Sequence, residues 1–162
     1  MSGSNSSTRS RVSAGILMFR RHKNRLEILL VHPGGPFFAK KDLGAWSIPK
    51  GEAGSDEDLL TRAQIEFEEE VGVPAHGNFV ELGSIKQKGG KKVHAWAVEH
   101  DLGENLIFRS NTFELEWPPH SGKQQKFPEI DQAAYFSEEV AREKINPAQI
   151  PFLDRVRDSL KL

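Results

Sequence analysis

The chain contains no cysteine. That absence removes disulfides, thiolate nucleophiles and zinc–thiolate sites together, and it accords with a reducing cytosol. Also missing is any apolar run long enough to cross a membrane. The polar start, Met-Ser-Gly-Ser-Asn-Ser-Ser-Thr, lacks the hydrophobic stretch a secretory signal needs. A soluble, cytoplasmic protein that does not enter the bilayer is expected. Nor is there an excess of charge of either sign: 22 Lys and Arg stand against 23 Asp and Glu, for a net charge of −1. No overall field draws the chain to nucleic acid or to an anionic membrane, so no stable nucleic-acid complex is expected. An anionic ligand would have to be held locally, by a metal ion or a few lysines. The pattern G-x-x-x-x-G-K-[ST] is absent, which excludes a P-loop nucleotide site. The six histidines show no close metal-ligand spacing, and none is assigned to a site.

What is present suits one domain of 162 residues with a single core. Residues 1–10 are rich in Ser and Gly, offer nothing to bury and read as a disordered tail, leaving 11–162 as the folded domain. Apolar runs at 12–20 and 26–32 read as strands of a hairpin around the charged turn 21–25. Pro33-Gly34-Gly35-Pro36 ends the second strand, and a loop carrying Lys40 and Lys41 follows. Residues 45–49 read as a short extended segment. A helix is expected over 56–71, with Ser55 and Asp58 resembling a capping box and Gly72 as its stop. Further strands are expected at 79–86, 93–100, 111–117 and 133–136. The stretches 88–92 and 118–126 read as a turn and a polar loop, and 137–144 and 151–160 as helices. This order indicates a mixed sheet with helices against it.

The helix near residue 65 has an unusual distribution of charge. On a wheel of about 100° per residue starting at Leu59, Ala63, Phe67 and Leu60 form an apolar stripe, while Glu70, Glu66 and Glu69 fall at about 20°, 340° and 280° along its border. Glu68 points away. Carboxylates at such spacings repel, by roughly 0.2–0.5 kcal/mol per pair. They also sit near the helix C-terminus, where the dipole disfavours negative charge. A bound hard dication such as Mg²⁺, or Mn²⁺, would turn that cost into a binding site. A solvated acidic face, helped by Arg62 one turn before Glu66, is the alternative reading of the same residues.

The flanking residues bear on that choice. Gly51 to Val73 reads G-E-A-G-S-D-E-D-L-L-T-R-A-Q-I-E-F-E-E-E-V-G-V. It resembles the box of the Nudix hydrolase family, G-x5-E-x7-R-E-U-x-E-E-x-G-U with U apolar. Gly51, Glu57, Glu66, Phe67, Glu69, Glu70, Gly72 and Val73 are in register, and Ile65 stands in place of the arginine. The preceding Trp46-Ser47-Ile48-Pro49-Lys50 also looks like the family's approach to the box. The resemblance implies a single-domain α/β fold, an α/β/α sandwich around a central mixed sheet, and metal-dependent attack of water at phosphorus in a nucleoside diphosphate-linked substrate. Carried over by position, Glu69 and Glu70 correspond to principal metal ligands and Glu66 to a further ligand or the base. The Lys50 carbonyl corresponds to another ligand, and Gly51, Glu57 and Gly72 to supporting positions. A distal carboxylate in the family serves as ligand or base. Glu129, six residues before Tyr135, matches its spacing, with Asp131 as the alternative. Bound metal would neutralise diphosphate oxygens and lower the pKa of a water, and Glu66 or Glu129 would take its proton.

Lys50, Lys88 and Lys91 are candidates for holding substrate phosphates. Lys40 and Lys41 could close over a substrate, although a solvated loop is the preferred reading, and Phe37, Phe38, Trp46 and Trp117 could stack on a base, although packing accounts better for each aromatic. The Lys-Gly-Glu sequence at 50–52 and Ser13-Ala14-Gly15 look similar to diadenosine polyphosphate hydrolases. The tyrosine those enzymes often carry beyond the box is replaced by Gly89-Gly90, and neither the proline of ADP-ribose hydrolases nor the motif of NADH-cleaving members is present. A dinucleoside polyphosphate or nucleoside triphosphate is the favoured small-molecule partner. A module that binds or senses a nucleotide through an impaired box is the alternative. An arginine at position 65 could reach Glu69 one turn on, and Arg62 supplies part of the missing charge. On this reading an Ile65→Arg variant should exceed the natural chain in metal affinity or rate. Turnover of both forms across Mg²⁺ concentrations measures this, and coincident curves would refute a compensable defect.

Overall fold

A computed structural model of the chain describes residues 12–104, 106 and 109–162. The stretch 1–10, expected to form a tail, lies outside the described residues. In chain order the elements are β1 (Val12–His22), β2 (Arg25–Pro33), β3 (Lys50–Glu52), α1 (Leu59–Val71), β4 (Val80–Lys86), β5 (Lys92–Glu99), β6 (Thr112–Glu116), β7 (Gln124–Pro128), β8 (Ile130–Ser137), α2 (Glu138–Lys144) and α3 (Ile150–Leu160). The main sheet runs β4-β5-β1-β2-β8, with β3 also paired to β1. Among the described strand pairs of the main sheet, β1 and β5 run parallel and the others antiparallel, so the sheet is mixed as expected. The hairpin between β1 and β2 turns at Lys23 and Asn24, both at positive φ (52 and 64), the conformation a tight two-residue turn requires.

Strand β1 is buried on both faces, as its unbroken apolar run requires of a central strand. Its alternate residues separate two cores. Ala14, Ile16 and Met18 pack with Leu29 and Val31 under Ala63, Phe67 and Val71 of α1. Leu17 and Phe19 pack with Ile28, Leu30, Trp46 and Ile48 against Ala141 of α2 and Phe152, Leu153 and Val156 of α3. One helix on one face and two on the other make an α/β/α sandwich. Among the described residues no helix is long and apolar enough to cross a membrane.

Several local expectations need correction. Helix α1 begins at Leu59 rather than 56, and its N-cap is Asp58, whose side chain accepts from Thr61 N and Oγ at 3.0 and 2.8 Å. The Ser55 capping box does not form, because Glu57 is turned back to Gly54 N at 2.7 Å, closing a loop before the helix. The extended stretch 45–49 makes only isolated bridges, and the true strand lies just after it at β3. Residues 124–126, read as loop, belong to β7, which pairs antiparallel with β6 as a separate ribbon. That strand escapes a hydrophobicity reading because most of it is exposed, with only Phe127 half-buried and set against Phe113. The last strand is longer than its apolar centre, with a register shift at His32/Pro33 where β2 meets it.

Phe67, fully buried, is what fastens the box helix to the sheet. Phe67→Ala should cost about 3–5 kcal/mol, whereas truncating the exposed Ile65 should stay within about 0.5 kcal/mol. Urea unfolding midpoints compare the two, and similar losses would contradict this packing.

Candidate active site

The site begins with a backbone pairing. Ala14 and Gly15 of β1 face Gly51 and Lys50 of β3, which lays the first residues of the box along the sheet beside α1. The Glu66 side chain then fills the space over Gly51: a Cβ built on that glycine would overlap Glu66 Oε1 and Cδ. Gly15 is confined in the same way, with a Cβ there meeting Pro49 O at 2.8 Å and Lys50 Cβ at 3.0 Å. Two side-chain-free positions thus bring strand and helix close enough for a carboxylate to lie on the backbone. Gly72 ends α1 in the left-handed region (φ 92) and donates its N–H to Glu68 O at 2.8 Å, which sets where the acidic last turn stops.

On α1, Glu66 and Glu70 are half-buried beside the apolar stripe, while Glu69 and Glu68 are exposed. Glu66 Oε2 accepts from Arg62 Nη1 at 3.0 Å. Arg62 also grips Glu57 through Nε and Nη2, the shortest contact being 2.6 Å. The Lys50 backbone N–H favours the charged form of Glu70. Desolvation raises the Glu66 carboxyl above its ordinary range; the Arg62 hydrogen bond opposes this, and the charges of Glu69 and Glu129 add to it. Glu70 is pushed up to about 8, chiefly by desolvation, with Glu66 and Glu129 adding repulsion against the attraction of the Lys50 ammonium. Burial likewise draws the Lys50 ammonium down; the Glu70 carboxylate opposes this, and Lys91 reinforces it. Glu57 is lowered by Arg62 and by the Gly54 N–H.

The fold therefore brings Glu129 into electrostatic reach of Glu66 and Glu70 from a distant part of the chain. Its backbone is pinned on both sides: Glu129 N donates to Asn111 O and Glu129 O accepts from Gly34 N, each at 2.8 Å. Gly34 must be glycine, since a Cβ there would overlap the Pro128 carbonyl. Asp131, the alternative distal carboxylate, is engaged elsewhere, its Oδ1 lying 2.7 Å from Nδ1 of the buried His32. The basic turn between β4 and β5 is moored to the approach segment by Gln149, which is fully buried. Gln149 Oε1 accepts from Ile48 N at 3.1 Å, while its Nε2 donates to Gln87 Oε1 at 2.9 Å. Lys88 and Lys91 are exposed on that turn. Lys40, Lys41 and Trp46 instead line a cavity of about 500 Å³ with His32, Asp131 and Lys144. Trp46 there is 4% exposed, edge-on to Phe136 and hydrogen-bonded to Asp42, so it packs rather than offering a stacking face. Phe37 sits edge-on to Trp117.

Gly34, Asn111 and Gln149 are positioning residues the sequence did not disclose. Only the Pro-Gly-Gly-Pro run, legible as a turn, carried a hint of the first. Among the described residues no three carboxylate or imidazole side chains already converge on one point that could hold a metal ion. The donor set nonetheless fits a hard dication: carboxylate oxygens on Glu66, Glu69, Glu70 and Glu129, two of them held above their ordinary range by burial and mutual repulsion.

Comparison with known proteins places this geometry. A model of the NUDIX domain matches residues 9–156. Nudix hydrolase 7 of Arabidopsis thaliana is 38% identical over 76 residues, a stretch that is 47% of this chain and 25% of that protein, so the likeness spans only a quarter of the curated relative. Among solved structures, a binary complex of a C. elegans Ap4A hydrolase superposes with a TM-score of 0.66 at 18% identity, over 93% of this chain and 98% of that one. The NUDIX domain of Shewanella oneidensis NrtR, complexed with ADP ribose, gives 0.63 at 14% identity, over 94% and 89%.

Glu70 binds a proton in the folded, metal-free chain over the interval from its ordinary 4.5 to about 8, where the unfolded chain does not. Stability of the metal-free protein should therefore fall as pH rises through that interval, and Glu70→Gln should flatten the slope. Thermal unfolding at pH 5 and pH 8, with metal removed, measures it. An unchanged slope in the variant would assign the burial cost elsewhere.

Proposed function

The chain belongs to the NUDIX family, and on that premise we propose that it is a divalent-metal-dependent hydrolase that splits a diphosphate linkage by attack of water at phosphorus. The observation that carries the reading is the Glu66 carboxylate lying on Gly51 of β3 and pinned by Arg62, with Glu70 half-buried one turn on along the same border of α1. A Mg²⁺ or Mn²⁺ set held by Glu66, Glu69, Glu70, Glu129 and the Lys50 carbonyl would supply neutralisation of phosphate charge and activation of water. The protein's own residues divide the remaining work. Glu66 is fixed, with Arg62 on one oxygen and the Gly51 backbone beneath it, which suits a ligand that must not move. Glu129 is exposed and its carboxylate carries no hydrogen bond to another described residue, which suits a base that must accept a proton and release it. Glu57 and Arg62 orient Glu66, and Gly72 ends the helix.

The Lys50 ammonium would meet a phosphate oxygen, a reading supported by its position at the start of the box beside the charges of Glu70 and Lys91. Lys88 and Lys91 extend that positive charge along the β4–β5 turn. A substrate with several consecutive phosphates uses both, which favours a dinucleoside polyphosphate or nucleoside triphosphate. The fold likeness to an Ap4A hydrolase is in keeping with that choice, and a cytoplasmic setting goes with such substrates.

The test is incubation of the purified protein and Mg²⁺ with dinucleoside polyphosphates, dNTPs, ADP-ribose and diphosphoinositols, with products resolved by chromatography. Release of a mononucleotide or phosphate is expected. Glu69→Gln should abolish it, and Glu129→Gln should lower kcat by about 10²–10⁴-fold, the usual contribution of a positioned base, with little change in KM. Nucleotide binding without turnover by the natural chain would leave a sensing module instead.

A further inference from the structure

Resting on this reading of the site, we propose that Arg62 is the positioning residue of the catalytic helix, doing from one turn earlier what the box pattern assigns to an arginine at position 65. The geometry is a closed bracket. Gly54 N donates to Glu57 Oε1 at 2.7 Å. Arg62 Nε lies 3.1 and 3.0 Å from the two Glu57 oxygens, with Nη2 at 2.6 Å from Oε2. Arg62 Nη1 then reaches Glu66 Oε2 at 3.0 Å, and the other face of that carboxylate rests on Gly51. Gly51 lies in β3 and Gly54 three residues on, just past the strand's end, so the bracket begins and ends on one continuous stretch of backbone. A planar guanidinium donating in two directions suits such a span, because its fork geometry is rigid. The Arg62 side chain is 23% exposed and that of Glu66 16%, so solvent screens this pair less than a surface one.

Position 65 has no share in the bracket. Ile65 is 38% exposed, on the outer side of α1. Both Glu57 oxygens are already occupied by Arg62, and Oε1 also by the Gly54 N–H. An arginine introduced at 65 in the natural chain would therefore find Glu57 and Glu66 already held by Arg62, leaving only Glu69 one turn on, whose exposed carboxylate gives a weak helix pair. The gain expected from Ile65→Arg on sequence grounds is thus confined to a chain that has lost Arg62.

A double-mutant cycle in the full chain tests this, read by Mn²⁺ affinity in titration calorimetry and, separately, by kcat and KM for a substrate from the panel above. Arg62→Gln should weaken Mn²⁺ binding and lower kcat by about 10–100-fold, the range for residues that orient metal ligands. KM should change by less than about 3-fold if the lost function is orientation of Glu66 rather than substrate binding. Arg62→Lys should recover only part of the loss, since an ammonium cannot bridge two carboxylates with the fork's geometry. Ile65→Arg alone should be near neutral but should restore much of the loss in the Arg62→Gln background, a non-additivity that a merely structural role for Arg62 would not produce. Glu57→Gln, which breaks the far end of the bracket and leaves Arg62 and Glu66 in place, should weaken Mn²⁺ binding in the same direction. Thermal unfolding of each variant separates these effects from loss of fold. Natural-chain affinity for Mn²⁺ with no change in Arg62→Gln overturns the inference alone. A natural chain that binds no Mn²⁺ overturns the functional reading and the inference with it. Equal gains from Ile65→Arg in both backgrounds would show that Arg62 does not occupy the missing arginine's role.

Discussion

A carboxylate lying directly on the backbone is the contact from which the site is built, and it exists because position 51 has no side chain. The pairing of Ala14 with Gly51 fixes β3 against the central strand, and Phe67 fixes α1 above it. Between those two attachments there is room for the Glu66 carboxylate only while the Cβ of residue 51 is missing. The same economy recurs at Gly34, where the Pro128 carbonyl takes the space of a side chain and draws the distal loop against the end of β2. Glycine acts here through close approach of backbone to its neighbours rather than through conformational freedom.

Holding several carboxylates together is unfavourable, and the structure offsets that cost unevenly. Arg62 is shared between Glu57 and Glu66, and Lys50 stands beside Glu70, whereas Glu69 and Glu129 remain exposed to water. The half-buried pair carries the raised proton affinities, and the exposed pair stays open to water. Apolar attachment of α1 through Ala63, Phe67 and Val71, next to its acidic border, is what allows that border to be so poorly compensated.

The positioning of Glu129 shows how far a site can depend on segments with no chemistry of their own. The β6–β7 ribbon has no fully buried residue and stands outside the main sheet. It ends at Pro128, and hydrogen bonds to Asn111 and Gly34 hold the next residue in place. Gln149 plays a comparable part for the basic turn, tying Gln87 to the segment that enters the box. The His32–Asp131 pair removes the competing carboxylate from the site.

The sequence by itself determined the order of strands and helices in the sandwich, the α1 helix with its acidic border, and the register of the box from Gly51 to Val73. These follow from local patterns: hydrophobic period, glycine stops and the spacing of carboxylates along one helix. It also placed Arg62 one turn before Glu66, a spacing that guarantees proximity on any helix. It misjudged the start of α1, because Ser55 and Asp58 are both capable caps and only the return of Glu57 to Gly54 decides between them. It missed β7, whose exposed residues leave no alternation to detect. Tertiary structure alone decided that Asp131 pairs with His32 while the Glu129 carboxylate takes no hydrogen bond from another described residue, that Arg62 joins Glu57 to Glu66, and that a buried glutamine moors the lysine turn. Each of those choices depends on which groups meet across the fold, with Gly34 and Glu129 far apart in the chain, and no local pattern records a meeting of that kind.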